Sequence, residues 1–230
     1  MIKNYSDFCN ELMKAGFSMA SGNDEGIFGL IKHDWREEPA DSPIRWHTED
    51  PETDPWEWRL RVLDEHDEIG YSKIFFRKGG YLTKEWCPYF LAVRRKNKSF
   101  AEEYAEGVIS YFAKRIYEVI AEYEVVPAHE IKRLAGFGKE DKSKFDRALV
   151  ELQMKMYVTI FGSKHKISQE GKKHSMPSMV YCTTEKFWGE EVFEEAAKIS
   201  VDEAIEEITE QVYRLNQGAL PKKIDKFIKG

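Results

Sequence analysis

The clearest periodicity in the chain begins at Ser99. Phe100, Tyr104, Val108, Phe112, Ile116 and Ile120 recur every four residues, backed by Ile109 and Val119. That spacing lines one face of an α-helix. Ser99 and Glu102 have the capping-box spacing, so one helix is predicted from there to about Tyr123. Pro127 opens a short helix over Ala128–Leu134, stopped by Gly136 and Gly138. A third helix is predicted from Lys142 to Met156, with Phe145, Leu149, Leu152 and Met156 as its apolar stripe. The pattern then turns β-branched, in Tyr157–Phe161 and again in Met179–Thr184, with a polar, basic stretch between. Helix, short helix, turn, helix and hairpin is the order of a winged helix.

The first half is less regular. Residues 6–16 predict a helix capped by Ser6 and ended by Gly16, with Phe8, Leu12 and Met13 on one face. Ile27, Phe28, Leu30 and Ile31 predict a short strand, after which Pro39, Pro43, Pro51 and Pro55 punctuate a long loop. Trp56, Trp58, Leu60 and Val62 alternate with Glu57, Arg59 and Arg61, which predicts a strand. A second strand at 69–77 completes a hairpin across the turn Asp64–Glu68, and Gly79-Gly80 predicts the next turn. Thr83 is expected to cap a helix reaching Val93, and Arg94–Lys98 reads as a basic linker. Glu190–Asn216 predicts a broken acidic helix, with a mobile basic tail from Pro221. The fold class is therefore α+β: an N-terminal helix and β-hairpin half followed by a C-terminal winged-helix domain. The predicted boundaries are a Trp-rich region at 1–98, the winged helix at 99–184, and acidic helices with a basic tail at 185–230.

Composition narrows the classes. Apolar residues at 42% and charged residues at 33% suit a folded protein. No apolar run approaches a bilayer span, and the N-terminus lacks a signal-peptide pattern. Three scattered cysteines, Cys9, Cys87 and Cys182, predict free thiols and a cytoplasmic protein. The six histidines lack metal-ligand spacing, so no metal and no cofactor is expected.

The net charge of −6 is unevenly spread. Residues 130–175 hold eleven Lys/Arg against six Asp/Glu, while 185–217 hold ten Asp/Glu against three Lys/Arg. A basic stretch in an acidic chain predicts a localised anion-binding face. Its candidate DNA-binding cations are Lys142, Lys144, Arg147 and Lys155 on the third helix and Lys164, Lys166, Lys172 and Lys173 on the hairpin. Such side chains contact phosphate rather than read bases. A second candidate is a pocket for a flat ligand. Trp56 and Trp58 would supply plates, and Arg59 and Lys73 cations. The competing assignment for clustered Trp is the core. Carboxylates at Asp50, Glu52, Asp54 and around Asp64–Glu68 suit a soluble surface more than a general base.

Three runs carry a family resemblance: Thr53–Arg59 (TDPWEWR), Ile69–Lys73 (IGYSK) and Glu85–Arg94 (EWCPYFLAVR). With Ala128–Ile131 and Leu149–Gln153, they make the chain resemble the AlkZ-related bacterial proteins, relatives of the winged-helix alkylpurine DNA glycosylases. The resemblance implies a link to DNA repair. Those glycosylases use a Gln-x-Gln or Gln-x-Asp pair to position water. None of Gln153, Gln169, Gln211 or Gln217 belongs to such a pair, so no catalytic residue carries over. The leading expectation is a DNA-binding winged-helix protein. The alternatives are an enzyme acting on a flat, nucleobase-like substrate in the Trp-lined pocket, and a protein-interaction scaffold. In the scaffold the acidic C-terminal arm shields the basic face, within the chain or across a homodimer.

Overall fold

The computed structural model describes residues 2–164 and 177–230. Helices and small antiparallel sheets coexist, so the α+β class holds. The chain divides into two compact units, Met1–Asn97 with Glu190–Gly230, and Lys98–Gly189.

The first unit opens with α1 (Tyr5–Ala15) and β1 (Phe17–Met19). Asn4, not Ser6, caps α1: its side chain accepts from the Asp7 amide. Residues 27–31 are not a strand, although Ile27 and Ile31 are buried. They run as irregular chain beside β1, with the Met19 amide donating to the Phe28 carbonyl at 3.0 Å.

The expected strand at 56–63 is a helix, α2 (Pro55–Glu65). Asp54 caps it, its Oδ1 accepting from the Trp56 amide at 2.8 Å, and Pro55 supplies a pre-set first φ. Trp58 and Val62, one turn apart, are its buried apolar residues. The alternation of apolar residues is coincidental: Trp56 and Leu60 stay out of the core.

The hairpin is instead β2 (Ile69–Phe75) with β3 (Lys78–Thr83). Its turn is Phe76-Arg77, both at positive φ, the signature of a type I′ loop. Gly79 and Gly80 lie inside β3 rather than at a turn. A Cβ would fall 2.5 Å from the Tyr71 hydroxyl at the first and 2.5 Å from the Phe75 ring at the second, so close side-chain approach explains both. The sheet order is β1-β3-β2.

Thr83 ends β3 and does not cap a helix. The helix is α3 (Cys87–Arg95), with Pro88 in its first turn where no amide is needed. Arg94 is no linker residue. It is buried, and its guanidinium donates to the carbonyls of Ile74, Phe227 and Ile228.

The second unit contains α4 (Phe100–Ala105) and α5 (Tyr111–Tyr123), where sequence periodicity predicts one helix. The capping box at Ser99 and Glu102 is present. Gly107 then takes φ 74, and Ser110 restarts the helix as a new cap. Next come β4 (Val125–Pro127), unforeseen in the sequence, α6 (Ala128–Leu134) and α7 (Lys142–Met154). β5 (Val158–Lys164), β6 (Ser178–Thr183) and α8 (Thr184–Trp188) follow. The antiparallel sheet runs β4-β6-β5. Ile116, Ile120, Ile131, Leu152 and Tyr157 are fully buried in this unit, and Phe100 stacks on Tyr117 at 3.8 Å.

The C-terminal arm of the first unit comprises α9 (Glu190–Ala196), α10 (Val201–Leu215) and α11 (Pro221–Lys229). The expected mobile tail is therefore a helix. Ile224, Phe227 and Ile228 are buried, and the Phe227 ring lies 4.3 Å from Phe75 and 5.2 Å from Phe17. Apolar residues at this spacing bury a stripe, which outweighs the loss of chain entropy at a terminus.

Candidate functional site

α7 carries three of the candidate cations, Lys142, Lys144 and Arg147. Its stripe of Phe145, Ala148, Leu149 and Leu152 is buried, which turns the opposite face outward. Lys142, Lys144 and Arg147 are exposed. At about 100° per residue, Lys142 and Lys144 flank that outward face on opposite edges, and Arg147 sits near its middle. The Lys144 ammonium lies 2.8 Å from Asp141 Oδ1 and 5.4 Å from the Phe112 ring. That ion pair holds the Asp141 carboxyl below its ordinary range, helped by the Gly138 amide. The Arg147 Nε donates to the Ser143 carbonyl at 3.2 Å.

Lys155 differs from these. Just past the end of α7, its ammonium is 3.6 Å from the buried Glu103 carboxylate. It neutralises an acid within the unit and is the least available of the described candidates. Glu151 is also spent on structure: its two oxygens accept from the Ser110 amide at 2.8 Å and hydroxyl at 2.7 Å, tying α7 to the cap of α5. Lys164 is exposed at the end of β5. Lys166, Lys172 and Lys173 lie outside the described residues.

Two features here were not singled out from the sequence. Arg133 on α6 and Lys139 before α7 add exposed cations close in the chain to Lys142. Phe161 is 42% exposed in mid-strand, where the β5–β6 register shifts between Ile160 and Gly162.

The expected Trp pocket does not assemble. Trp58 is 0% exposed, packed 5.1 Å from Phe8 and 6.2 Å from Tyr5, with its indole N–H given to the Pro51 carbonyl at 3.0 Å. Trp56, two positions earlier on the helix, points to another side and is 41% exposed. Arg59 stacks on Trp56 with its guanidinium carbon 3.3 Å from the ring centroid. Lys73 is exposed on β2. The cavity beside the long loop, about 360 Å³, is walled mainly by Ile2, Leu30, Ile31, Pro43 and Ile44, with no tryptophan in its lining.

Asp54, Gln153 and Gln211 have structural duties. Asp54 is fully buried and accepts from the Thr48, Glu49 and Trp56 amides. The Gln153 amide donates to the Leu149 carbonyl and that of Gln211 to the Ala15 carbonyl, both at 3.0 Å. Burial pushes the thiols of Cys9, Cys87 and Cys182 up, the last to about 12.

Fold and surface together describe an α+β protein of two units, one of which holds exposed cations on a helix followed by a β-hairpin. The family model described as AlkZ related matches residues 2–229, and the chain belongs to that family. No curated protein and no solved structure matches the chain. No helix among the described residues is long and apolar enough to cross a membrane.

Proposed function

We propose that the Lys98–Gly189 unit is a winged helix that binds DNA through α7 and the β5–β6 hairpin, in a role linked to DNA repair. The observation that carries this reading is the element order α5, β4, α6, α7, β5, β6 with sheet order β4-β6-β5. That is the arrangement in which a third helix meets the major groove and a β wing meets the backbone. Membership of the AlkZ-related family supports the link to repair. Exposed Lys142, Lys144, Arg147 and Lys164 supply phosphate contacts. Lys155, paired with Glu103, contributes little.

The test is a fluorescence-anisotropy titration with a short labelled duplex over a range of salt. Binding should weaken as salt rises, because each neutralised phosphate releases counterions. Replacing Lys142, Lys144 and Arg147 together with Ala should lower the log–log salt slope by about 2 to 3. A Lys155→Ala variant should leave the slope nearly unchanged. Affinity that ignores salt, or a triple variant that binds as the wild type does, overturns the reading.

A further inference from the structure

The first unit carries an aromatic face that the nucleic-acid reading does not use. Trp35 is 62% exposed and Trp56 41%. The His47 ring stands near both, with centroid distances of 6.3 Å to Trp35 and 5.1 Å to Trp56.

The His47 and Trp56 side of this face is held in place. The buried Asp54 carboxylate takes the Thr48 and Glu49 amides on one oxygen and the Trp56 amide on the other. His47 and Glu49 both sit at positive φ, 59° and 62°, a conformation that costs non-glycine residues energy and persists only where the surroundings enforce it. Arg59 also holds Trp56, stacking on the ring and donating its Nε to the Trp56 carbonyl at 2.6 Å. The Trp56 ring, held this way, loses little freedom on binding.

Charge selects the occupant. Residues 32–57 contain nine Asp/Glu against three Lys/Arg. Arg36 is paired with Asp34 and Arg45 with Glu38. A phosphate-rich partner meets repulsion here, whereas a cation meets carboxylates and the negative faces of two indoles. The chain already uses these rings in that way: Arg59 covers Trp56, and the Arg36 guanidinium lies 6.0 Å from the Trp35 centroid.

We infer that the Trp35–His47–Trp56 face docks a basic, arginine-bearing segment of a partner protein. A guanidinium from that segment stacks on Trp35, and the loop carboxylates Glu37 and Glu49 supply the counter-charge. Tryptophan and arginine are the residues that most often dominate binding energy at protein interfaces. The inference does not rest on the DNA reading, because its residues lie in the other unit.

The test titrates the full chain with a fluorescent acetylated peptide of alternating Arg and Gly. An alternating Glu and Gly peptide and a single-stranded oligo-dT serve as the comparison probes. The Arg peptide should bind and quench tryptophan emission. Trp35→Ala should weaken it about tenfold, equivalent to about 1.4 kcal/mol, without lowering the melting temperature. Trp35→Phe should recover part of the loss. Glu37→Gln with Glu49→Gln should weaken binding less than Trp35→Ala does. Four results overturn the inference: no binding, Arg-peptide binding that ignores Trp35→Ala, oligo-dT binding that Trp35→Ala abolishes, and self-association of the free chain that the same substitution removes.

Discussion

The two units differ in how far they draw charged and aromatic side chains inward. In the Met1–Asn97 and Glu190–Gly230 unit, many are drawn inward. Trp58 fills the core, Phe17, Phe75, Phe90 and Phe227 pack ring against ring, and Arg94 is buried on three carbonyls. In the Lys98–Gly189 unit the core is largely aliphatic, and the cations of α7 stay outside. Arg94 and Arg95 are adjacent in sequence, yet one is buried and the other half-buried. A basic run therefore reports charge without reporting where each charge goes. What separates them is whether the fold offers unfilled acceptors. The last turn of α11 does, because a helix C-terminus leaves carbonyls without intrahelical partners.

The contrast is most directly broken at Trp58. Trp58→Ala should cost about 3–5 kcal/mol in urea denaturation, as large-to-small core changes do. A cost under about 1 kcal/mol would remove Trp58 from the core and reopen the pocket reading.

Arg94→Met comes next, at about 3 kcal/mol, because it removes a charged donor from buried carbonyls. Burial lowers the Arg94 pKa to about 9, so the group is still a cation at neutral pH and its loss removes charge-assisted bonds. Hydrogen exchange should show the amides of α11 opening first in this variant.

Asp54→Ala should cost about 2 kcal/mol, from a lost helix cap and amides left without an acceptor. It should also free the 47–49 loop, read as faster hydrogen exchange at the Thr48 and Glu49 amides that Asp54 holds.

Glu25→Gln is expected to cost less than about 1 kcal/mol, since its partners Lys223 and Lys78 are partly exposed. Hydrogen bonds from those two ammonium groups hold the Glu25 carboxyl down at about 2. The folded-state pKa lies below the unfolded value near 4.5. The contribution is therefore fully present above about pH 4.5 and fades as pH falls toward 2. Wild type and Glu25→Gln should differ at pH 6 and converge at the acid end (about pH 2).

The smallest effect belongs to the second unit. Replacing Lys142, Lys144 and Arg147 with Ala should change stability by no more than about 0.5 kcal/mol, the usual range for surface substitutions. A larger loss would make α7's outer face structural.

Much of the second unit was legible because its elements announce themselves locally. α6 and α7 have apolar stripes and clear stops, and β5 and β6 are β-branched. The break between α4 and α5 was marked by Gly107 and Ser110, but a continuous four-residue spacing hid it. α2 was missed because four alternating apolar residues fit a strand. The stronger signal, Asp54 as cap and Pro55 as first helical residue, lay just before the window. Exposure of Lys142, Lys144 and Arg147 followed from the stripe opposite them. The tie between Lys155 and Glu103 did not, because those residues are distant in sequence and a single chain gives no direct sign of which will meet.

The sequence by itself determined the α+β class, the uneven charge and the helical faces, because caps, periodicity and residue type act over a few neighbouring residues. Only the tertiary structure decided which of two nearby indoles is core and which is surface. It alone found partners for Arg94, and it alone turned the C-terminal tail into a packed helix. Those outcomes depend on burial and on unfilled acceptors far away along the chain, and both exist only once the chain has folded.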